Sequence, residues 1–307
     1  MKKDRTAARR RRGKLLAGLF RTLSWAFVPL PWRLAQAVGA TLGALAWPLA
    51  GRDRRRILDH LRLAFPQDSE AERRRIGRAS LRHHGKTLGE VLWLLTRDAA
   101  AVAAHVETVG FEELDKLKAS GRPAVVLTGH CGNWELLAAA INVRGTGMRV
   151  VARALDDAIL QNLLVGLRSR FGTETIERGE AGAARQLLST LRSGGVLGML
   201  IDQDTKVDGV WVPFFGHPAY TPVGAAKIAL ARNAAVLPTF IERLPNGQHR
   251  AVMAPPFELP EDPVAATAEM TAKIEEQVRK NPEQWVWMHR RWRTAPLPEP
   301  LPVEQPR

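Results

Sequence analysis

From Ala124 to Met253 the chain alternates short apolar runs with longer helical stretches, and that alternation narrows its fold more than any other feature. The runs are Ala124–Thr128, Met148–Val151, Val196–Ile201 and Val236–Glu242, with a further extended piece at Arg250–Met253. Between them lie Trp134–Val143, Ala158–Phe171, Ala183–Arg192 and Gly224–Ala231, which read as helices. Strands separated by helices cannot pair as hairpins; they pair in parallel, with the helices covering the sheet, so the pattern predicts an α/β domain. Upstream the spacing is helical from Arg54 to Ala64, closing at Phe65-Pro66. Asp68-Ser69-Glu70 then caps a second helix that runs past Ile76 to Leu81. A third, around Thr87–Leu95, carries Glu90 beside Leu92, Trp93 and Leu94. Ala265–Lys280 is a last amphipathic helix before a Pro-rich end, 296–307.

The N-terminal quarter is organised differently. Residues 1–14 hold eight Lys/Arg against the single acid Asp4, so half of the chain's formal +14 sits in this tail. A segment so charged does not fold alone and reads as a strap for an anionic surface, lipid headgroups or nucleic acid. Residues 15–52 follow as the most apolar stretch, with 18 uncharged residues from Leu34 to Gly51. That length just reaches the roughly 20 residues of a bilayer span. It is also rich in small residues (Gly39, Ala40, Gly43, Ala44) and contains Pro48. Basic clusters lie on both sides, at Arg9–Arg12 and Arg54–Arg56, so a single crossing would leave one of them on the outer face. A monotopic arrangement lets both touch one leaflet, with Trp25, Trp32 and Trp47 at the headgroups. A span and a buried helical hairpin are the competing arrangements. The only cysteine is Cys131, which rules out an intramolecular disulfide and a Cys-based zinc site.

Chemistry is concentrated in Thr128-Gly-His-Cys-Gly-Asn-Trp-Glu135. His130 follows a buried strand, and ligands of open α/β sheets bind outside the carboxyl ends of strands. His130 and Glu135 are five apart, which on one continuous helix separates them by about 140°. A turn through Gly132 and Asn133, with Asn133 capping the next helix, would let them converge. Glu135 would then hold one ring nitrogen and leave the other as a general base, and N–H groups at the helix start could bind an oxyanion or phosphate. Against this stands a strand-end His satisfied by a backbone carbonyl. No G-x-S-x-G nucleophile motif is present. Cys131 as a thiol nucleophile is disfavoured, because adjacent side chains in extended backbone point apart.

The same octapeptide resembles the His-x4-Glu/Asp motif of glycerolipid acyltransferases, and specifically that of bacterial lipid A biosynthesis acyltransferases, the late lauroyl/myristoyl transferases. Further blocks follow in the expected order. Leu63-Ala-Phe-Pro66, Asp202-Gln203 with Gly209-Val-Trp-Val-Pro-Phe-Phe-Gly216, and Pro282-x-x-Trp285-x-Trp287-x-His289-Arg290-Arg291 each resemble a family element. The resemblance implies a glycerolipid-acyltransferase-like sheet flanked by helices over 53–295, preceded by a membrane-associated helical segment. It implies a catalytic pair, His130 as base and Glu135 as its orienter, with direct attack of a substrate hydroxyl on an acyl thioester. The donor would be acyl carrier protein or acyl-coenzyme A, the acceptor an anionic glycolipid such as a lipid A precursor. The site would lie at the cytoplasmic face of the bacterial inner membrane, with no cofactor and no metal. Gly132, Asn133, Arg153, Arg168, Arg170, Asp202, Gln203, Phe215 and Gly216 are the expected substrate-binding positions. Arg168 and Arg170 could equally be solvated helix charge, Asp202-Gln203 a turn, and Phe215-Gly216 turn packing. Two departures bear on the acceptor: Ala154 stands where the family has Pro after its first arginine, and Asp59 where Asn-Leu is usual.

The charge also suggests a nucleic-acid binder, but the basic tail adjoins an apolar, Trp-bearing segment and no RNA-binding aromatic signature is present. A noncatalytic lipid-binding module on the same scaffold is the remaining alternative.

Overall fold

The computed structural model of the protein describes Gly18, Phe27, residues 29–155 and residues 157–294. The basic tail, most of 15–28 and the Pro-rich end lie outside the described residues, and so do the expectations placed on them. Strands in chain order are β1 (Val106–Val109), β2 (Ala124–Thr128), β3 (Arg149–Ala152), β4 (Glu174–Glu177), β5 (Val196–Leu200), β6 (Gly209–Phe214), β7 (His217–Pro222), β8 (Ala235–Arg243) and β9 (His249–Met253). Seven of them form one sheet in the order β1-β9-β8-β2-β5-β3-β4, parallel throughout except at β8–β9. β2 shows why helices cover both faces. All of its residues are buried; Ala124 and Val126 enter one hydrophobic cluster, Val125 and Leu127 the other.

The apolar runs of the sequence become β2, β3, β5, β8 and β9. β1 and β4 went unread because they are the sheet's two edges: Val-Glu-Thr-Val and Glu-Thr-Ile-Glu keep polar side chains for water, so neither forms an apolar run. β6 and β7 form a separate antiparallel hairpin. Pro213, Pro218 and Pro222 obscure it in the sequence, yet proline is tolerated in strands whose N–H faces no partner.

The N-terminal helices are α1 (Trp32–Leu49), α2 (Gly51–Ala64) and α3 (Glu70–Leu94). Ser69 caps α3 by accepting the Glu72 N–H. The two helices expected over 68–95 are one continuous α3. Its Gly85 and Gly89 are not breaks but contact points, matched by Gly39 and Gly43 of α1. A Cβ on Gly39 would run into the Gly85 carbonyl, one on Gly85 into that of Gly39, and one on Gly89 into that of Ala35. The small residues of the apolar segment thus bring two helix backbones into contact, the packing that spaced glycines allow. Among the described residues no single helix is long and apolar enough to cross a membrane; α1 and α2 pass that test only as a pair bent by 91°. The remaining helices are α4 (Ala99–His105), α5 (Glu112–Ala119), α6 (Trp134–Asn142), α7 (Ala158–Arg170), α8 (Ala183–Arg192), α9 (Gly224–Ala231) and α10 (Pro263–Lys280).

Candidate active site

β2 and β5 are parallel neighbours at the middle of the sheet, with Thr128 opposite Leu200. Two residues beyond each strand's end come His130 and Asp202, so the register alone brings them abreast. Asp202 accepts the His130 backbone N–H at Oδ2 and faces ring Nδ1 at Oδ1, each at 2.8 Å. Trp285, completely buried, donates its indole N–H to Asp202 Oδ2 at 2.8 Å. Burial pushes the Asp202 carboxyl up, but the His130 charge, its side-chain and backbone hydrogen bonds and the Trp285 indole outweigh this and hold it down to about 2. With a carboxylate against Nδ1, that nitrogen carries the ring proton and Nε2 keeps its lone pair. Among the described residues Nε2 has no hydrogen-bond partner, and the His130 side chain is 20% exposed beside a fully buried Asp202. The Trp134 ring packs edge-on against the imidazole at 4.9 Å between centroids.

The turn that follows is held from behind. Gly132 has φ +62°, and a Cβ there would meet the Ile241 carbonyl, so only glycine fits. Its N–H donates to the Gln284 carbonyl at 2.9 Å and its carbonyl faces His83 Nε2 at 3.2 Å. Asn133 caps α6, its Oδ1 accepting the Leu136 N–H at 3.1 Å. Its amide donates to Glu90 Oε2 at 2.9 Å, and Arg243 reaches both Glu90 oxygens at 2.8 Å. Gln36 and His249 complete the shell around this fully buried carboxylate at 2.6 and 3.1 Å.

Glu135 does not orient His130. Its two carboxylate oxygens take the Arg168 guanidinium as a fork, at 2.6 and 2.9 Å, and Arg168 also reaches Thr175 Oγ1 at 3.4 Å. The carboxylate that meets the His130 ring is Asp202. The pairing of His130 with Asp202 lives in the β2–β5 register, which no local sequence pattern carries. Arg168 is accordingly engaged with Glu135 inside the protein. Asn133 is 0% exposed and builds the turn.

Phe215 (φ +53°) and Gly216 (φ +73°) form the two-residue turn of the β6–β7 hairpin. The Phe215 ring is buried among Phe65, Phe214, Trp287 and the Arg279 guanidinium, which puts it in the core and not in a groove wall. Gln203, half-buried, follows Asp202. Arg170 is exposed at the end of α7, and among the described residues no contact joins it to His130 or Asp202. Arg153 is exposed beyond the end of β3, and its charge lies close enough to Arg178 to help burial lower the Arg178 pKa. Arg178, one residue past β4, was not singled out from the sequence; strand β4 itself was unread, so nothing placed it at a strand's carboxyl end. Cys131 is buried, and burial together with the Asp202 charge pushes its thiol well up, away from the thiolate a nucleophile needs. Among the described residues no group of His, Cys, Asp and Glu could hold a metal ion.

Comparison with known proteins agrees with the blocks seen in the sequence. Residues 2–294 match the family described as bacterial lipid A biosynthesis acyltransferase. The lipid A biosynthesis lauroyltransferase of Escherichia coli (strain K12) is 27% identical over 277 residues, 89% of each chain. The lipid A biosynthesis palmitoleoyltransferase of the same strain is 26% identical over 279 residues, 90% of each. A phosphatidylinositol mannoside acyltransferase of Mycobacterium tuberculosis (strain CDC 1551 / Oshkosh) is 29% identical over 219 residues, 70% of this chain and 69% of its own. The match spans every element that positions His130 and Asp202: this chain is an acyltransferase and belongs to the bacterial lipid A biosynthesis acyltransferase family.

Proposed function

We propose that the protein moves a fatty acyl chain from an acyl thioester, on acyl carrier protein or coenzyme A, to a hydroxyl of a lipid A precursor or related membrane glycolipid. The observation that carries this reading is the His130–Asp202 pair, with Nδ1 held at 2.8 Å by a buried carboxylate and Nε2 without a partner among the described residues. Nε2 takes the proton of the acceptor hydroxyl as its oxygen attacks the thioester carbonyl. The tetrahedral intermediate collapses, the C–S bond breaks, and the leaving thiolate recovers the proton from the imidazolium. The products are an ester and a free thiol, with no acyl-enzyme between them. Asp202 stabilises the imidazolium while it exists, as a buried carboxylate does beside a catalytic histidine.

The acceptor is drawn as a glycolipid because the relatives named for lipid A and for phosphatidylinositol mannoside share that chemistry. Work at the cytoplasmic face of the inner membrane fits the basic tail and the exposed leucines of α1. His130→Ala is expected to cut transfer by about 10²–10⁴-fold with folding unchanged. Mass spectrometry of lipids from cells lacking the protein, then regaining wild type or the variant, reads both acceptor and activity. An active His130→Ala enzyme would sink the proposal.

A further inference from the structure

The first turns of α2 run Gly51-Arg52-Asp53-Arg54-Arg55-Arg56. A helix N-terminus carries the positive end of the macrodipole, so arginines there weaken the helix where acids would strengthen it. Arg56 is tied to Asp53 at 2.9 Å and to the Met288 carbonyl at 3.0 Å. Arg52 and Arg55 are exposed and have no hydrogen bond or ion pair among the described residues. Across from them stands the C-terminal block, with Arg290 equally exposed and unpaired among those residues and Arg293 bonded to Asp204 at 2.8 Å. Together they line a cavity of about 350 Å³ that holds five guanidiniums and one carboxylate, Asp59. Asp59 is itself bonded to Arg62 at 2.7 Å. Arg56 and Arg293 have carboxylate partners, Asp53 and Asp204, but among the described residues Arg52, Arg55 and Arg290 have none, and an anion would supply one. Guanidinium forks match phosphate oxygens, and the N–H groups of the helix start add to the same field.

The cavity does not stand alone. Leu34, Leu42, Leu45 and Leu49 are 41–83% exposed on α1. At 100° per residue they fall within about 80° of the helix circumference. This stripe is opposite in character to the glycine face against α3, and it ends at Leu49, just before Arg52. Leucines running into arginines match a lipid's chain running into its phosphate.

We propose that the α1–α2 corner is a binding site for the phosphate of an anionic phospholipid headgroup, with the lipid's chains laid along the α1 leucines. Neither His130 nor Asp202 lines it, and it rests on the membrane-surface part of the function proposed above. Occupancy would fix the orientation of the catalytic face, because Arg290 and Arg293 belong to the segment that carries Trp285.

The test is calorimetric titration of the full chain with three probes: dihexanoylphosphatidylglycerol, dihexanoylphosphatidylcholine and inorganic phosphate. The glycerol lipid should bind tightest. Arg55→Ala/Arg290→Ala should weaken it by about tenfold or more, the loss of two charged contacts. Replacing Arg9–Arg12 with Ala should leave that binding unchanged, which separates the cavity from the basic tail. Leu45→Asp/Leu49→Asp should weaken the lipid and not the phosphate. Three results would each overturn the site: wild-type affinity in the double Arg variant, equal binding of the two lipids, or inorganic phosphate binding as tightly as the lipid (an adventitious ion only). Binding needs no turnover, so the site can fail while acyl transfer stands. Turnover of a detergent-dispersed substrate by the double Arg variant, unchanged from wild type, shows that the chemistry is intact.

Discussion

Two fully buried carboxylates grip the same short turn from opposite ends, Asp202 at His130 and Glu90 at Asn133. Each accepts several hydrogen bonds, and each sits below the ordinary carboxylate range. For both, burial acts upward and is outweighed, in Asp202 by His130 and Trp285, in Glu90 by Arg243 and His249. What differs is the partner. Glu90 faces an arginine that is 4% exposed and permanently charged, so its pair is closed on all sides. Asp202 faces a histidine whose side chain is 20% exposed. Burial of a carboxylate alone therefore does not single out a site; the two pairs differ in whether the partner is open to the surface.

The largest expected effect tests the open pair. Asp202→Asn keeps the shape but removes the charge that stabilises an imidazolium. The prediction is a fall in kcat of about 10²–10⁴-fold with KM little changed. Steady-state kinetics on a soluble thioester donor would show it. Glu90→Gln should divide the other way, because it strands the Arg243 charge in the interior, at a cost of about 3–5 kcal/mol. Chemical denaturation should reveal that loss, with kcat of the folded protein close to wild type. If Asp202→Asn unfolds the protein and Glu90→Gln only slows it, the assignment of the two carboxylates is reversed.

Acid should also reach the buried histidines before the carboxylates. His83 and His84 of α3 and His249 of β9 all have lowered pKa values, burial being the largest cause in each; His84 falls to about 4. An unfolded histidine takes up a proton near pH 6.5, whereas these stay neutral in the fold. Their contribution is therefore complete above about pH 6.5 and is lost as pH falls toward 4. The Asp202 contribution is present above the ordinary carboxylate pKa, 3.8, and is lost only as pH falls through about 2. Thermal melts from pH 7.5 downward should show the first loss well above pH 4. A flat profile down to pH 4 would mean that the histidines are solvated.

The alternation of β2, α6 and β3, and the position of His130 beyond a buried strand, were legible because each depends on local pattern. The partner of His130 was not. Asp202 is 72 residues away, and only the parallel pairing of Thr128 with Leu200 brings the two together. Likewise the indole N–H of Trp285 reaches Asp202 across 83 residues, a contact that no local pattern announces. What Gly85 and Gly89 do is equally non-local, because the helix that needs them, α1, crosses from elsewhere in the chain. Periodicity reports which face is buried; it is silent on what the face meets.

Glu135 provides the finest test of the comparison, as a third carboxylate within reach of the same turn. It is 8% exposed and forked to Arg168, itself 11% exposed, so it resembles the Glu90 pair more than the Asp202 pair. The fork ties the first turn of α6 to α7 and to Thr175 of β4, so its loss should loosen the wall beside His130 while the proton path stays in place. A double-mutant cycle on Glu135→Gln and Arg168→Gln should give a coupling of about 0.5–3 kcal/mol in stability. The cycle of Glu135→Gln with Asp202→Asn should be additive within about 0.5 kcal/mol, because the two share no partner. Activity lost on Glu135→Gln should be matched by Arg168→Gln and not deepened in the double variant. Strong coupling of Glu135 to Asp202 would instead put both carboxylates on the imidazole during catalysis, and the division between open and closed pairs would then fail at this residue.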